Sequence, residues 1–295
     1  IKKLSNNYIS YLRGKNPFTF AIKLTANDNG FNTLDKIIPN DPSGNPIPET
    51  DNKWIDRLEE GITISKLSDN QKKLLDTKKE LNENNVLANL QPMNIVYDNK
   101  TGSNGFSNFF NRLEISGSLK VTYRSKYLNG LYPDEENLGK YSGKFLTISN
   151  FIKKAKGIVI IYSRFVEGGI LPLALILEHM GFMREGEKNI LDKPKIISDA
   201  TKYGFGSAPK YCIMTSHSEN NNVMGSSSID KLLPIINNKK NINGELVKVI
   251  LMTPVASEGL SFYNAREMHI IEPWYHFNKT KQIIGRGIRN CRHNS

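Results

Sequence analysis

From position 141 onward the chain alternates short, almost wholly apolar runs with longer segments whose apolar residues recur every three or four positions. Residues 158–162 (Ile-Val-Ile-Ile-Tyr) form a run without a charged residue, as a parallel strand buried on both faces requires. Residues 211–215, 247–252 and 268–271 repeat that texture and predict three more strands. Gly168 and Gly169 lead into a predicted helix with Pro172 near its first turn and Gly181 at its end. Further helices are expected over 228–236 and 280–291. Such alternation predicts an α/β, doubly wound parallel sheet, a fold that binds ligands outside the carboxyl ends of its strands.

Residues 1–140 have another texture, polar and weakly periodic, rich in Asn, Lys and Asp. Within them 8–12 and 18–24 read as short strands, the second alternating Phe18, Phe20, Ile22 and Leu24. Residues 38–50 hold four prolines and read as irregular. Ser68 opens a polar helix expected over 68–81, and 106–110 is an aromatic patch flanked by Gly and Asn. The expected organisation is a partly irregular connector or insertion over 1–140, followed by one α/β domain over 141–295.

Charge narrows the partners. With 40 Lys and Arg against 29 Asp and Glu, the formal charge of +11 favours a polyanion, nucleic acid first. Cys212 and Cys291 form no CxxC pair and the five His have no ligand spacing, so neither a disulfide framework nor a zinc site is expected; a reducing, cytoplasm-like compartment fits. The longest apolar stretch, 170–177, is too short to span a bilayer and contains Pro172, and no signal-peptide pattern opens the chain. Residue 1 is Ile and the last patterned helix lies against the end of the sequence, so the chain reads as a fragment.

The candidate chemistry lies near that end. At about 100° per residue, Gln282, Arg286, Arg289 and His293 fall in a narrow arc, and Ile284, Gly287, Ile288 and Cys291 lie opposite. One face is thus expected to pack on the sheet while Gln and two Arg project together. A solvated basic face would show the same spacing. What adds weight is the loop one short strand upstream, Thr253-Pro-Val-Ala-Ser-Glu-Gly-Leu-Ser-Phe262. Its Ser257 can donate to a phosphate, and Gly259 lacks the Cβ that would block a close backbone approach. Two other segments mimic nucleotide sites. Gly139-Lys-Tyr-Ser-Gly-Lys-Phe145 has three residues between its glycines where a P-loop has four, and reads as a loop leading into a helix. Asp134-Glu-Glu136 follows Pro133 with no apolar strand leading in, and reads as surface.

Thr253–Ser261 resembles motif V of superfamily 2 helicases, and Gln282-x-x-Gly285-Arg286-x-x-Arg289 resembles their more specific motif VI. Residues 159–165, ending Tyr162-Ser-Arg-Phe165, look like motif IV, the first strand of the second RecA-like domain. More narrowly, Ser257-Glu-Gly-Leu-Ser-Phe262 followed by His269-Ile-Ile-Glu-Pro-Trp274 is similar to helicases of large DNA viruses, the group of the poxvirus nucleoside triphosphate phosphohydrolase and the early transcription factor small subunit. Looser echoes of that group occur at Ile9-Ser-Tyr-Leu12, Asn16-Pro-Phe-Thr-Phe20, Leu67-Ser-Asp-Asn-Gln71 and Asn94-Ile-Val-Tyr97.

The resemblance implies a RecA-like helicase C-terminal domain. Arg289 would be the finger that reaches the γ-phosphate of ATP, with Arg286 sharing that charge, and Gln282 and Gly285 would sense the nucleotide. Ser163, Arg164, Thr253 and Ser257 would face a DNA or RNA backbone, while Glu258 and Gly259 couple that contact to the nucleotide. ATP and Mg2+ would be held mainly by a first RecA-like domain upstream of Ile1, with no metal site in this chain. Viral transcription machinery is an implied partner, a membrane is not, and the implied compartment is the host cytoplasm or the virion. Ser261 stands where many members have Asp, which removes a carboxylate role there. Two other readings stay open: a nucleic-acid-binding module or transcription-factor part with a degenerate helicase fold, and a small-molecule α/β enzyme. The second lacks a GxGxxG opening and a nucleophile–base pair.

Overall fold

A computed structural model describes residues 65–77, 86–115, 118–197, 209–215, 229–254, 260–272 and 277–287. The expected strands at 8–12 and 18–24 and the proline-rich loop at 38–50 lie outside the described residues. The elements are α1 (Asp69–Thr77), α2 (Val86–Asn94), α3 (Gly102–Phe109), β1 (Phe110–Ile115), β2 (Ser118–Tyr123), α4 (Leu138–Tyr141), α5 (Gly143–Lys154), β3 (Ile158–Tyr162), α6 (Leu171–His179), β4 (Met183–Arg184), β5 (Lys210–Met214), α7 (Ile229–Ile236), β6 (Val249–Met252), β7 (Ala265–Ile270) and α8 (Phe277–Gly287). A π-helical turn, Val166–Ile170, joins the loop after β3 to α6. Among the described residues no helix is long and apolar enough to cross a membrane.

Five strands form one sheet in the order β4-β5-β6-β3-β7, every neighbouring pair parallel. Alternation along each strand divides the side chains between two faces. Val159 and Ile161 of β3, Tyr211 and Ile213 of β5, and Val249 and Leu251 of β6 join one core with residues of α5 and α6. Ile160, Cys212, Ile250 and Met252 face the other way, against Leu232 and Ile236 of α7 and Ile283 of α8. Helices on both faces explain why these strands carry unbroken apolar runs. This is the parallel α/β sheet that the alternation predicts, consistent with the RecA-like fold that the resemblance implies.

The strand boundaries move for physical reasons. β6 begins at Val249 rather than 247, because the N–H of Val247 donates to the side-chain oxygen of Asn241 at 2.9 Å instead of to a neighbouring strand. β7 begins at Ala265 rather than 268: it is an outer strand whose residues are mostly half-buried, so Arg266 and Glu267 belong to it without breaking an apolar run.

Residues 95–141 pack against the sheet core. Tyr97, Phe106, Phe109, Phe110 and Tyr127 are buried in the same apolar cluster as β3 and α6. Phe109 stacks on Tyr127 with ring centroids 4.4 Å apart and meets Tyr97 at 5.3 Å. β1 and β2 pair antiparallel beside them. The expected polar helix is α1, opened by a reciprocal cap. The Ser68 N–H donates to Gln71 Oε1 at 2.9 Å, and the Gln71 N–H donates to Ser68 Oγ at 3.2 Å.

Two ionisable groups lie side by side in α6, which is buried along its whole length. The Glu178 carboxylate accepts from the N–H of Ile190 (2.7 Å), the N–H of Leu191 (2.6 Å) and the Tyr211 hydroxyl (2.6 Å). Burial pushes its pKa up to about 7 against the pull of these donors. The His179 ring lies 2.6 Å from the Lys195 carbonyl through Nδ1 and 2.8 Å from the Tyr123 hydroxyl through Nε2. A carbonyl can only accept, so Nδ1 carries the proton and Nε2 accepts from Tyr123. Burial holds this imidazole down to about 4.

Candidate nucleic-acid and nucleotide-coupling site

The site is built on the carboxyl edge of the sheet. The N–H of Ser163, one residue past β3, donates to Met252 O at 3.1 Å. Thr253 N donates to Met214 O at 3.1 Å and Ile271 N to Tyr162 O at 3.0 Å, so β3, β5, β6 and β7 end in step. The ends of the segments that resemble motifs IV and V are thereby brought next to each other, where parallel sheets place their ligands.

Position alone does not make each residue a surface contact. Ser163 and Thr253 are buried, whereas Arg164 is half-buried. The Ser163 hydroxyl donates to Glu272 Oε1 at 2.7 Å and lies 3.2 Å from the donating N–H of Phe165. The Ser163 hydroxyl is thus used inside the fold, because the turn after β3 closes over it. A Cβ at Gly169 would lie 2.0 Å from that hydroxyl oxygen, so only glycine leaves room.

Helix α8 carries Gln282 exposed and Gly285 and Arg286 half-buried. Among the described residues, no atom beyond the helix's own backbone and the two chain neighbours lies within 4 Å of a Cβ built at Gly285. Thr280, Ile283 and Gly287 form the packed face. The expected packing partner Ile284 is half-buried instead. The helix turns Ile283 inward because Gly287 comes so close to β7 that a Cβ there would lie 2.8 Å from Met268 Cε. The N–H of Phe262 donates to the Arg286 carbonyl at 3.0 Å, which ties the loop after β6 to α8. Ser257, Glu258, Gly259 and Arg289 lie outside the described residues.

Sequence reading missed the polar centre of this edge. Glu272, two residues past β7, is 2 % exposed. Its carboxylate accepts from the Ser163 hydroxyl, from the Arg164 N–H at 2.8 Å and from the Asn94 amide. The Asn94 amide nitrogen also reaches Gly168 O at 3.2 Å, while Lys144 Nζ donates to Asn94 Oδ1 at 2.9 Å and to Ile271 O at 3.1 Å. Burial raises the Glu272 pKa, opposed by the Arg164 N–H, Ser163, Asn94 and the Lys144 charge, and burial lowers that of Lys144. The false P-loop is thus part of the scaffold. Ser142 caps α5 by accepting from Phe145 N at 2.9 Å, Gly143 N points at Gln71 Oε1 at 3.4 Å, and Lys144 is engaged from two sides. Lys144, the lysine that a P-loop would turn to a triphosphate, is spent on these bonds within the fold. Among the described residues no group of three or more His, Cys, Asp or Glu is placed to hold a metal.

The turn after β3 is gripped further along. Glu167 pairs with Arg112 of β1 and accepts from the Ser103 hydroxyl of α3, and the Tyr97 hydroxyl donates to Glu167 O at 2.8 Å. The Arg112 guanidinium also lies 5.0 Å over the Phe106 ring.

No protein-family model matches the chain. Curated proteins do. The "Putative ATP-dependent RNA helicase R563" of Acanthamoeba polyphaga mimivirus is 29% identical over 299 residues, covering 99% of this chain and 41% of that protein. The "Putative helicase 087L" of Invertebrate iridescent virus 3 is 30% identical over 162 residues, 54% of this chain and 15% of that protein. The chain is thus similar to proteins of large DNA viruses that are named as putative helicases. A "Termination factor NPH-I homolog" of African swine fever virus is 27% identical over 180 residues, 55% of this chain and 25% of that protein. The chain thus spans less than half the length of these relatives.

Proposed function

We propose that this chain is the C-terminal part of an ATP-dependent nucleic-acid helicase or translocase acting in viral transcription, with residues 141–295 as its second RecA-like domain. The observation that carries this reading is the outward face of α8. Gln282 and Arg286 stand one turn apart there, and the Arg286 carbonyl is bonded to the end of the loop after β6. A nucleotide held by a first RecA-like domain would meet Arg286, and Arg289 three positions further along the sequence. Planar guanidinium groups suit the charge that spreads over phosphoryl oxygens in transfer. Movement of the nucleotide would reach the nucleic acid through the loop that α8 holds. The name of the mimivirus relative, an RNA helicase, and that of the African swine fever virus relatives, a termination factor, support the transcription setting.

In the full-length protein, ATPase turnover is expected to rise when DNA or RNA is added. Arg289→Ala is expected to lower the stimulated rate on the order of 10³-fold while nucleotide binding persists. Arg289→Lys should fail almost as badly, since an ammonium lacks the planar fork. A near-normal stimulated rate in Arg289→Ala would make α8 a solvated basic face and overturn the reading.

A further inference from the structure

The buried carboxylate of Glu272 is badly placed for stability alone. A carboxylate removed from water costs several kcal/mol unless its lone pairs are met, and a well-packed apolar residue would serve the core as well. Here the lone pairs are met by a particular set of groups. One oxygen takes the Ser163 hydroxyl at 2.7 Å and the Asn94 amide; the other takes the Arg164 N–H at 2.8 Å. The carboxylate therefore grips two consecutive residues of the turn that leaves β3, one through its side chain and one through its backbone. Its own position is set from two other elements. Asn94 ends α2 and is fixed by Lys144 of α5 at 2.9 Å, and Lys144 reaches back to the carbonyl of Ile271 beside Glu272 at 3.1 Å. The only member of the turn's Ser163–Arg164 pair that reaches the surface is Arg164.

We propose that Glu272 is a positioning residue that sets the Ser163–Arg164 turn for nucleic-acid contact, held in place by Asn94 and Lys144. The inference rests on the helicase reading and adds a part to it. Without the carboxylate the Arg164 backbone loses its anchor, and the guanidinium samples orientations that no longer match a phosphate. The residue acts through Arg164 and touches no nucleic acid itself.

The test uses the full-length protein and a fluorescently labelled single-stranded oligonucleotide, as DNA and as RNA, at fixed ionic strength, with thermal melting in parallel. Arg164→Ala is expected to weaken binding. Glu272→Gln is expected to weaken it about fivefold or more, because its amide nitrogen must face one of the donors. Combining Glu272→Gln with Arg164→Ala should weaken binding no further than Arg164→Ala alone, since both act through one guanidinium. General loosening of the fold would instead add to the Arg164→Ala loss. Exchanging the two groups, Glu272→Gln with Asn94→Asp, keeps the charge and lets the new amide donate to the relocated carboxylate while accepting from Arg164 N. Asn94→Asp also leaves Gly168 O without its donor, so rescue is expected to be partial: the pair should bind more tightly than Glu272→Gln and less tightly than wild type. Wild-type binding by Glu272→Gln, full additivity with Arg164→Ala, or a folded exchange variant that binds no better than Glu272→Gln would each overturn the proposal. If the wild-type protein bound neither oligonucleotide, the helicase reading would fall and this inference with it. Loss in Arg164→Ala without loss in Glu272→Gln removes the inference alone.

Discussion

His179→Gln should change stability with a pH dependence of known sign. In the folded protein the imidazole is buried, donates to Lys195 O and accepts from Tyr123, and is held down to about 4. An unfolded chain returns it to about 6.5. Between these values the unfolded state binds the proton and the folded state does not, so this residue's contribution is complete above about 6.5 and is lost as pH falls toward 4. From pH 7.5 to pH 5 the loss comes to about 2 kcal/mol. Glu178, its neighbour, works the other way. Its folded carboxyl is pushed up to about 7 from its ordinary value of 4.5, so stability is present at low pH and lost as pH rises through 4.5 to 7. Over the same interval it offsets His179 almost fully, and the wild-type contributions of the pair should nearly cancel. His179→Gln removes one arm. At pH 7.5 the variant should be less stable by about 1–3 kcal/mol, for a lost hydrogen bond and a poorer fit in a buried site. At pH 5 that deficit should shrink by about 2 kcal/mol. Urea denaturation of both proteins at several pH values between 5 and 7.5 measures it. A deficit that stays constant across the range would mean that the imidazole is not a buried neutral ring.

Two further outcomes follow from the site. Gly169→Ala places a methyl 2.0 Å from Ser163 Oγ and 2.9 Å from its Cβ, which should lower stability by about 1–3 kcal/mol in urea denaturation and weaken oligonucleotide binding. Binding by the full-length protein should be dominated by phosphate contacts, so a plot of log affinity against log salt concentration should fall steeply, and Arg164→Ala should make it shallower by about one phosphate's share; a flat plot would contradict a backbone-binding surface.

The amino-acid sequence by itself determined the elements that announce themselves locally. Residues 158–162 had to be a two-sided buried strand, because five successive positions without a charge fit neither an exposed strand nor an amphipathic helix. Gln282 and Arg286 had to share a face, because the helical repeat sets that wherever the helix lies. The spacing of Gly139 and Gly143 was enough to deny a P-loop before Lys144 was located. Only the tertiary structure decided what the polar residues do. Glu272 and Asn94 are 178 residues apart, and each looks like an ordinary loop or helix-end polar group until folding removes water from both. Ser163 reads as a surface hydroxyl for the same reason, and Phe106, Phe109 and Phe110 read as an aromatic patch although they complete the core under β3 and α6. Which side of α8 packs was settled by contact too, since Gly287 against Met268 brought Ile283 inward where the sequence pattern favoured Ile284. Periodicity records whether a position meets water, and it is local; the partner of a buried polar group depends on which distant strand ends in step with its own, and no local pattern carries that.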